Sequence, residues 1–250
     1  MIGEKMKKRI ISFLLFTAIL LAAVLAFVAC EEEKKDHGWK DDMYLKLVNK
    51  SNPEGEDFAP ENLVPVDTAY TTGGKSIELE KKVAEAVISM LDAMKADGID
   101  NVTVTSAYRT YQYQEKLFNG YIEKEKAAHP TWSDEEARAE VLTYSAAPGT
   151  SEHQTGLCVD LFTDEMEGLY NYGSETPNNP YDKGFAETDA FEWLCAHAHE
   201  YGFILRFPEN KTDITGYSYE SWHYRYVGEK HAKKIFEEGI TLEEYLEGEG

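Results

Sequence analysis

A histidine and an acid lie close together in a part of the chain where they could bind a metal ion. His153 belongs to a polar turn, residues 149–156, and Asp160 lies in the mostly apolar run of residues 156–162 that follows. The run predicts a short buried strand, so turn and strand could bring an imidazole and a carboxylate to one ion, and zinc accepts both kinds of ligand. The alternative is an ordinary turn histidine beside an acid that backbone donors satisfy.

A second histidine, His223, follows the acid Glu220 by three residues. His223 would add a third metal ligand, and Glu220 would supply a carboxylate that need not bind the metal, which a hydrolytic zinc site requires of its general base. Aromatic residues surround this pair, and they fit either the wall of a groove or half of a core: Tyr217, Tyr219, Trp222, Tyr224 and Tyr226. The alternative is an exposed strand of mixed polar residues.

Arg109 lies in the stretch Ser106–Gln114, where a strand is predicted to end and a helix to begin. Its guanidinium could hold a carboxylate through two hydrogen bonds or stabilise an oxyanion. A surface ion pair is the alternative, because the chain is rich in acids. The remaining histidines are weaker candidates, since His197 and His199 point to different faces of one predicted helix and the others lie in polar or charged segments: His37, His129 and His231.

The elements that must position these residues mix helices and strands without regular alternation. From Ser76 to Lys95 apolar residues recur at steps of three and four, which predicts an amphipathic helix, and residues 101–106 alternate as in a strand. The other predicted helices cover residues 110–128, 188–201 and 230–238 and a segment that starts with a capping box at Ser133 and Glu136. The other predicted strands cover residues 44–48, 156–162, 203–207 and 218–227, and residues 166–185 are predicted to form a long loop. This mixture predicts an α+β fold.

The composition excludes one class of function and allows a folded core. The chain has 250 residues with 46 acidic against 25 basic side chains, a net charge of −21. This balance excludes a nucleic-acid binder that works through phosphate contacts. A hydrophobic content of 42% provides for a sizeable core. We assign the negative charge no role beyond solubility.

Residues 1–30 differ from the rest, since they carry a net charge of +3. Residues 10–29 have no charged side chain and could cross a bilayer as a helix, and the basic flank predicts that the N-terminus stays inside. A cleaved signal peptide and an uncleaved anchor both fit, and Phe27–Cys30 resembles a bacterial lipobox, in which the cysteine is lipidated. Each alternative places the remainder outside the cytoplasmic membrane, as a charged tether over residues 31–42 and a domain over residues 43–250.

Two cysteines lie beyond that segment, Cys158 and Cys195. They are too few for a disulfide framework in a domain of this size. They could still pair with each other, but the sequence does not place them within bonding distance. We expect two buried free thiols.

Three spaced motifs occur in order along the chain: Ser106-x-x-Arg109-x-x-x-x-Gln114, Ser151-x-His153-x-x-Gly156-x-x-x-Asp160 and Glu220-x-Trp222-His223-x-Arg225. Taken together, they resemble the signature of the M15 zinc peptidases. Within that family the chain is most similar to the VanY-type branch of D-alanyl-D-alanine carboxypeptidases, which includes L,D-carboxypeptidases. The resemblance spans about residues 43–246, nearly the whole predicted exported part.

The resemblance implies a role for each matching residue. It implies that one zinc ion is held by His153, Asp160 and His223, and that Glu220 is the catalytic base. It implies that Arg109 anchors the substrate carboxylate or the developing oxyanion. Further substrate-binding candidates are Ser151, Gln114, Tyr108 and Trp222. Cys158 stands where the family often has a small residue such as Ala, and we expect its thiol near the zinc but not bound to it.

The expected function is removal of the C-terminal D-alanine from peptidoglycan stem peptides, with either D,D- or L,D-specificity. The alternatives are a D,D-dipeptidase, a peptidoglycan endopeptidase, or a non-catalytic lipoprotein that binds the cell wall, and the intact Glu220 argues against the last. We expect a monomer at the outer face of the bacterial cytoplasmic membrane. The expected fold is a single α+β domain, in which helices flank a small antiparallel sheet and the zinc site lies in a groove on that sheet.

Overall fold

The computed structural model describes residues 43–163 and 184–248, which contain two antiparallel sheets and the helices around them. The strands are β1 (Leu63–Pro65), β2 (Glu78–Glu80), β3 (Val102–Ser106), β4 (Cys158–Thr163), β5 (Phe203–Leu205) and β6 (His223–Tyr226). The helices are α1 (Lys81–Ala96), α2 (Tyr111–Ala128), α3 (Asp134–Tyr144), α4 (Asp189–His197), α5 (Thr212–Thr215), α6 (Glu229–Glu238) and α7 (Leu242–Gly248). A short 3₁₀ turn, Glu152–Thr155, precedes β4.

The larger sheet aligns three polar residues on neighbouring strands. Its strand order is β3-β4-β6-β5, and each neighbouring pair is antiparallel. Asp160 on β4 lies opposite Ser106 on β3 and opposite His223 on β6. Because directly opposed residues of an antiparallel pair share one face of the sheet, all three side chains leave the sheet on the same side.

The opposite face of β4 belongs to the hydrophobic core. Alternation along the strand directs Val159 and Leu161 away from Asp160, and both are buried in the same cluster as the apolar stripe of α1. That stripe consists of Val83, Val87, Met90, Leu91 and Met94. Burial of side chains of this size contributes about 1.5–3 kcal/mol each before conformational entropy is counted, so the core holds β4 firmly beneath the polar face.

The turn before β4 is anchored by a glycine. Gly156 ends the 3₁₀ turn with φ of 68°, a left-handed conformation that side chains rarely adopt. A Cβ atom there would lie 3.0 Å from Leu63 Cδ2 and 3.2 Å from the Glu80 nitrogen, and that Glu80 N–H donates to the Gly156 carbonyl. The smaller sheet therefore fixes the end of the turn that carries His153.

The structure confirms the α+β fold and most of the predicted elements. Thr110 caps α2, and Ser133 and Glu136 form the predicted capping box of α3. The helix predicted from Ser76 begins only at Lys81, because residues before it pair with β1 and the Glu80 carboxylate caps the first turn. The strand predicted over residues 218–227 is limited to β6.

Some predictions were wrong. Residues 44–48 form no strand: the first two belong to a 3₁₀ turn, Met43–Leu45, and the carbonyls of Tyr44 and Lys46 accept hydrogen bonds from Arg225 instead of a neighbouring strand. Helix α7 was not predicted at all. Both cysteines are free, as expected, but only Cys158 is buried, whereas Cys195 is exposed on α4.

The N-terminal predictions and most of the predicted loop are not covered by the structure. Residues 1–42, which include the predicted leader and tether, and residues 164–183 lie outside the described residues. Within the two described ranges, no helix is both long enough and apolar enough to cross a membrane.

Candidate active site

Three of the predicted side chains, His153, Asp160 and His223, converge on the polar face of the larger sheet. Asp160 Oδ2 lies 3.2 Å from His153 Nε2, and Asp160 Oδ1 lies 2.9 Å from His223 Nδ1. All three residues are buried. Donor atoms of a tetrahedral zinc site with bonds of about 2.0 Å lie about 3.3 Å apart, so these separations and the two-nitrogen, one-oxygen donor set fit one zinc ion.

The orientation of His153 is set by the backbone. Its Nδ1 lies 2.6 Å from the carbonyl oxygen of Ala107. A carbonyl can only accept a hydrogen bond, so Nδ1 carries a proton. Nε2, which faces Asp160, is therefore the nitrogen that can bind a metal once its own proton is released.

Cys158 adds a thiol to the same cluster. It is completely buried, and its sulfur and ring nitrogens of His153 and His223 all lie within 4.8 Å of one another. Cys158 precedes Asp160 by two residues on β4, so the two side chains share a face. The structure therefore places the Cys158 thiol beside both histidines, and His153, Cys158 and His223 form a second donor set that could hold a metal.

The charges of the cluster are strongly coupled. Burial opposes ionisation of Asp160, but His153 and other nearby donors outweigh it and hold the pKa of that carboxyl well below its usual range. Burial and Arg109 lower the pKa of His153, but Asp160 and Cys158 outweigh them and raise it to about 9. Without metal, the His153 imidazole therefore stays protonated at neutral pH, and binding of a metal must release that proton.

Arg109 lies beside the carboxylate of Asp160. Its Nη2 donates to Asp160 Oδ2 at 2.8 Å and to Ser106 Oγ at 2.7 Å, and its Nε donates to Ser106 Oγ at 2.9 Å. The longest of its hydrogen bonds runs from Nη1 to Gln114 Oε1, 3.4 Å. Gln114 is itself fixed, since its amide nitrogen donates to the Ala146 carbonyl. Gln114 and Ser106 thus hold the guanidinium at the edge of the cluster.

Glu220 lies beside His223. Its Oε2 is 3.7 Å from His223 Nδ1, the nitrogen that also faces Asp160, and its side chain is 23% exposed. A carboxylate that is close to a metal ligand and still open to solvent can exchange protons with a water molecule. The structure therefore brings Glu220 and Arg109 to the same three residues.

The remaining predicted residues lie around this cluster. Ser151 is buried at the start of the turn that carries His153. Tyr108 is half-buried next to Arg109, and its backbone N–H donates to the Glu78 carbonyl. Trp222 packs partly against the hydrophobic core.

A third carboxylate near the cluster was missed by sequence analysis. Glu152 is buried, and its Oε1 accepts hydrogen bonds from Arg206 Nε at 2.9 Å and Arg225 Nη1 at 2.7 Å. Burial alone would raise the pKa of Glu152, but the two arginines outweigh it and hold that pKa well below its usual range. Glu152 precedes His153 directly, but both arginines are more than fifty residues away in the chain, so no local pattern indicates the network.

Comparison with known proteins identifies the family. The family profile described as "VanY: D-alanyl-D-alanine carboxypeptidase" matches residues 76–229. A D-alanyl-D-alanine carboxypeptidase from Enterococcus faecalis is 35% identical over 215 residues, which cover 86% of this chain and 70% of that protein.

Solved structures are similar in fold and in sequence. The LdcB LD-carboxypeptidase has a TM-score of 0.66 at 33% identity, with 82% of this chain and 86% of that chain covered. A mutant of the vancomycin-resistance D,D-pentapeptidase VanY, crystallised in complex with Zn(II), has a TM-score of 0.62 at 35% identity, with 82% and 99% covered. Together with the donor set of the cluster, the zinc complex supports zinc as the cofactor of this chain. The chain belongs to the VanY family of D-alanyl-D-alanine carboxypeptidases, and it is a peptidase with a zinc cofactor.

Proposed function

We propose that this protein removes the C-terminal D-alanine from peptidoglycan stem peptides. The observation that carries the proposal is the position of Glu220 and Arg109 relative to His153, Asp160 and His223. The acid approaches His223 Nδ1 to 3.7 Å, and the guanidinium contacts Asp160 at 2.8 Å. A proton acceptor and a cation beside three metal-binding side chains are the groups that hydrolysis of a terminal peptide bond needs.

The proposed chemistry is hydrolysis by an activated water molecule. When bound, zinc supplies a Lewis acid that polarises the scissile carbonyl and lowers the pKa of a water molecule. Glu220 takes a proton from the attacking water molecule as the water oxygen bonds to the carbonyl carbon. Glu220 then gives that proton to the nitrogen of the leaving D-alanine as the C–N bond breaks.

Arg109 is proposed to recognise the anionic part of the substrate. An exopeptidase must bind a free terminal carboxylate, and a guanidinium is suited to bidentate binding of that group. The Nη1 atom carries two N–H groups, and the acceptor given for it above is Gln114 at 3.4 Å, so a second N–H can donate to a substrate carboxylate. Stabilisation of the developing oxyanion is the second role that this position allows.

Mass spectrometry of digested stem peptides tests the proposed function. The purified full-length protein is incubated with pentapeptides ending in D-Ala-D-Ala and with tetrapeptides ending in one D-Ala, with and without a chelator. We expect loss of one alanine, its suppression by the chelator, and its recovery after zinc is restored. The preferred substrate then assigns D,D- or L,D-specificity.

Other products would contradict the proposal. Release of a dipeptide would indicate a D,D-dipeptidase, and cleavage of cross-linked muropeptides would indicate an endopeptidase, both with the same metal chemistry. No cleavage of any substrate by the zinc-loaded protein would contradict peptidase activity on stem peptides altogether.

We further propose that Asp160, not Cys158, is the third zinc ligand. A carboxylate with oxygens 2.9 and 3.2 Å from the two histidine nitrogens has the spacing of a ligand set, and it leaves a coordination position for water. A Cys158→Ala variant is therefore expected to bind one zinc ion per chain with unchanged affinity, measured by competition with a chromogenic chelator. Cys195→Ala is the matched control on α4. A marked loss of zinc affinity in Cys158→Ala alone would make the thiol a ligand.

The proposed location is the outer face of the bacterial cytoplasmic membrane. The uncharged residues 10–29 and their basic flank support export and anchoring. We propose that the protein acts there as a monomer, held either by an uncleaved helix or by lipidated Cys30. Cell fractionation of the wild-type protein and a Cys30→Ala variant tests the location, and a metabolic fatty-acid label tests whether Cys30 is lipidated. Protease-protected, cytoplasmic protein would contradict the proposed location.

A further inference from the structure

A network of buried charges lies behind His223 and takes no part in the proposed chemistry. Its members are Glu152, Arg206, Arg225 and Glu243, and both arginines are completely buried. Arg206 bridges the two acids, since it donates to Glu152 through Nε and to both oxygens of Glu243 at 2.6 and 2.8 Å. Burying charges costs free energy that their pairing often fails to recover. A hydrophobic core would serve stability as well, so the network calls for another explanation.

The network holds Glu152 in one position. Arg225 donates to Glu152 through Nη1, and its other nitrogens donate to the carbonyls of Tyr44, Lys46 and Tyr226 at 3.0, 2.7 and 3.1 Å. The Arg225 guanidinium is thereby fixed to the backbone. Because two fixed arginines bind the same oxygen, Oε1, the direction of the Glu152 carboxylate is fixed as well.

The other oxygen of Glu152 faces a zinc-site histidine. Glu152 Oε2 is 3.7 Å from His223 Nε2. Among the described residues, both atoms are buried without a hydrogen-bond partner. A buried donor or acceptor without a partner destabilises the fold. Two such atoms that face each other, one on a carboxylate and one on an imidazole, are complementary.

The tautomer that His223 needs explains the pairing. Its Nδ1 faces Asp160 at 2.9 Å, so this nitrogen is the one turned toward the proposed metal. An imidazole that binds a metal through Nδ1 carries its proton on Nε2, and metal-binding histidines usually donate that second N–H to a carboxylate or a carbonyl. His153 already has such an acceptor, the Ala107 carbonyl at 2.6 Å. Glu152 Oε2 is in the position to serve His223.

We propose that Glu152 is a positioning residue of the zinc site, which accepts a hydrogen bond from His223 Nε2 and thereby fixes the tautomer and orientation of that ligand. Arg206 and Arg225 hold the carboxylate in place through its other oxygen. The proposal rests on the proposed function, because it requires His223 to be a zinc ligand. It extends that function by a residue that never contacts substrate.

A Glu152→Gln variant tests the proposal, because an amide cannot accept hydrogen bonds at both ends. Its oxygen can face the two arginines or His223, and its NH₂ group then opposes a donor on the other side. We expect a loss of zinc affinity of about 10–100-fold, measured by chelator competition on the full-length protein. Glu243→Gln is the matched control, since it removes a charge from the same network without touching His223. It is expected to lower the melting temperature but to leave zinc affinity unchanged.

Ring-proton NMR gives a test that does not depend on the folding of Glu152→Gln. In the zinc-loaded wild-type protein labelled with ¹⁵N-histidine, we expect a proton on His223 Nε2 that is protected from exchange with solvent. The signal of this proton is assigned as the one that is missing from the spectrum of His223→Ala. If Glu152→Gln fails to fold, this signal alone decides. An unprotected Nε2 proton overturns the proposal, as does unchanged zinc affinity in a folded Glu152→Gln or an equal loss in Glu243→Gln.

His223→Ala separates the two proposals. If it loses zinc affinity while Glu152→Gln does not, only the role of Glu152 fails. If His223→Ala binds zinc as well as the wild-type protein does, the ligand set of the proposed function fails.

Discussion

Replacing Glu220 with Gln is expected to lower kcat by about 10³-fold while the protein keeps its zinc. The amide has nearly the shape of the carboxylate but cannot take a proton from water. Zinc should remain bound, because the nearer Glu220 oxygen lies 3.7 Å from His223 Nδ1, farther than Asp160 at 2.9 Å. Turnover of stem peptides and the zinc content of the same samples measure the two effects separately.

The control for this variant is Glu85→Gln, on the exposed face of α1. It removes the same charge without approaching the cluster, and its turnover should equal that of the wild-type protein. A Glu220→Gln variant with near-normal turnover would show that another group accepts the proton.

The local part of the site could be predicted from sequence. His153 and Asp160 are separated by one turn and the start of one strand, and the apolar run after Gly156 indicates that strand. The turn and β4 then place the two side chains 3.2 Å apart. Likewise, the capping box at Ser133 identifies the start of α3.

The alignment across strands could not be predicted, because it depends on register. Ser106, Asp160 and His223 are neighbours only because β3, β4 and β6 pair as they do, and β3 contains an irregularity between Val104 and Ser106. A shift of one residue in either pairing would turn a side chain to the opposite face. The resemblance to the family motifs indicates that these residues form one site, whereas the hydrophobic periodicity of the strands does not.

The burial of two arginines was missed for a different reason. Arg206 and Arg225 lie in a very acidic chain, where an exposed ion pair is the usual expectation, and sequence does not show that both are completely buried. Helix α7 was missed although a signal was present. Thr241 and Glu244 cap each other across its first turn, which is the pattern of a capping box.

Replacing Arg109 with Met is expected to lower kcat/KM by about 10³-fold on substrates with a free terminal carboxylate. The side chain keeps its length but loses every donor that now contacts Asp160, Ser106 and Gln114. Arg109→Lys should recover a part of the loss, because an ammonium keeps the charge but not the fork of parallel donors. Arg138→Met, on the exposed side of α3, is the matched control and should retain full activity.

The same variant decides between the two roles that Arg109 can have. Each enzyme is assayed on a stem peptide with a free terminal carboxylate and on its C-terminal amide, and rates are divided by the fraction of enzyme that holds zinc, because Arg109 contacts Asp160. If Arg109 binds the carboxylate, the wild-type preference for the free acid disappears in Arg109→Met. If it stabilises the oxyanion, both substrates slow by the same factor and the preference stays. Near-normal turnover of both substrates by Arg109→Met would contradict both roles and leave Asp160 as the only group that Arg109 serves.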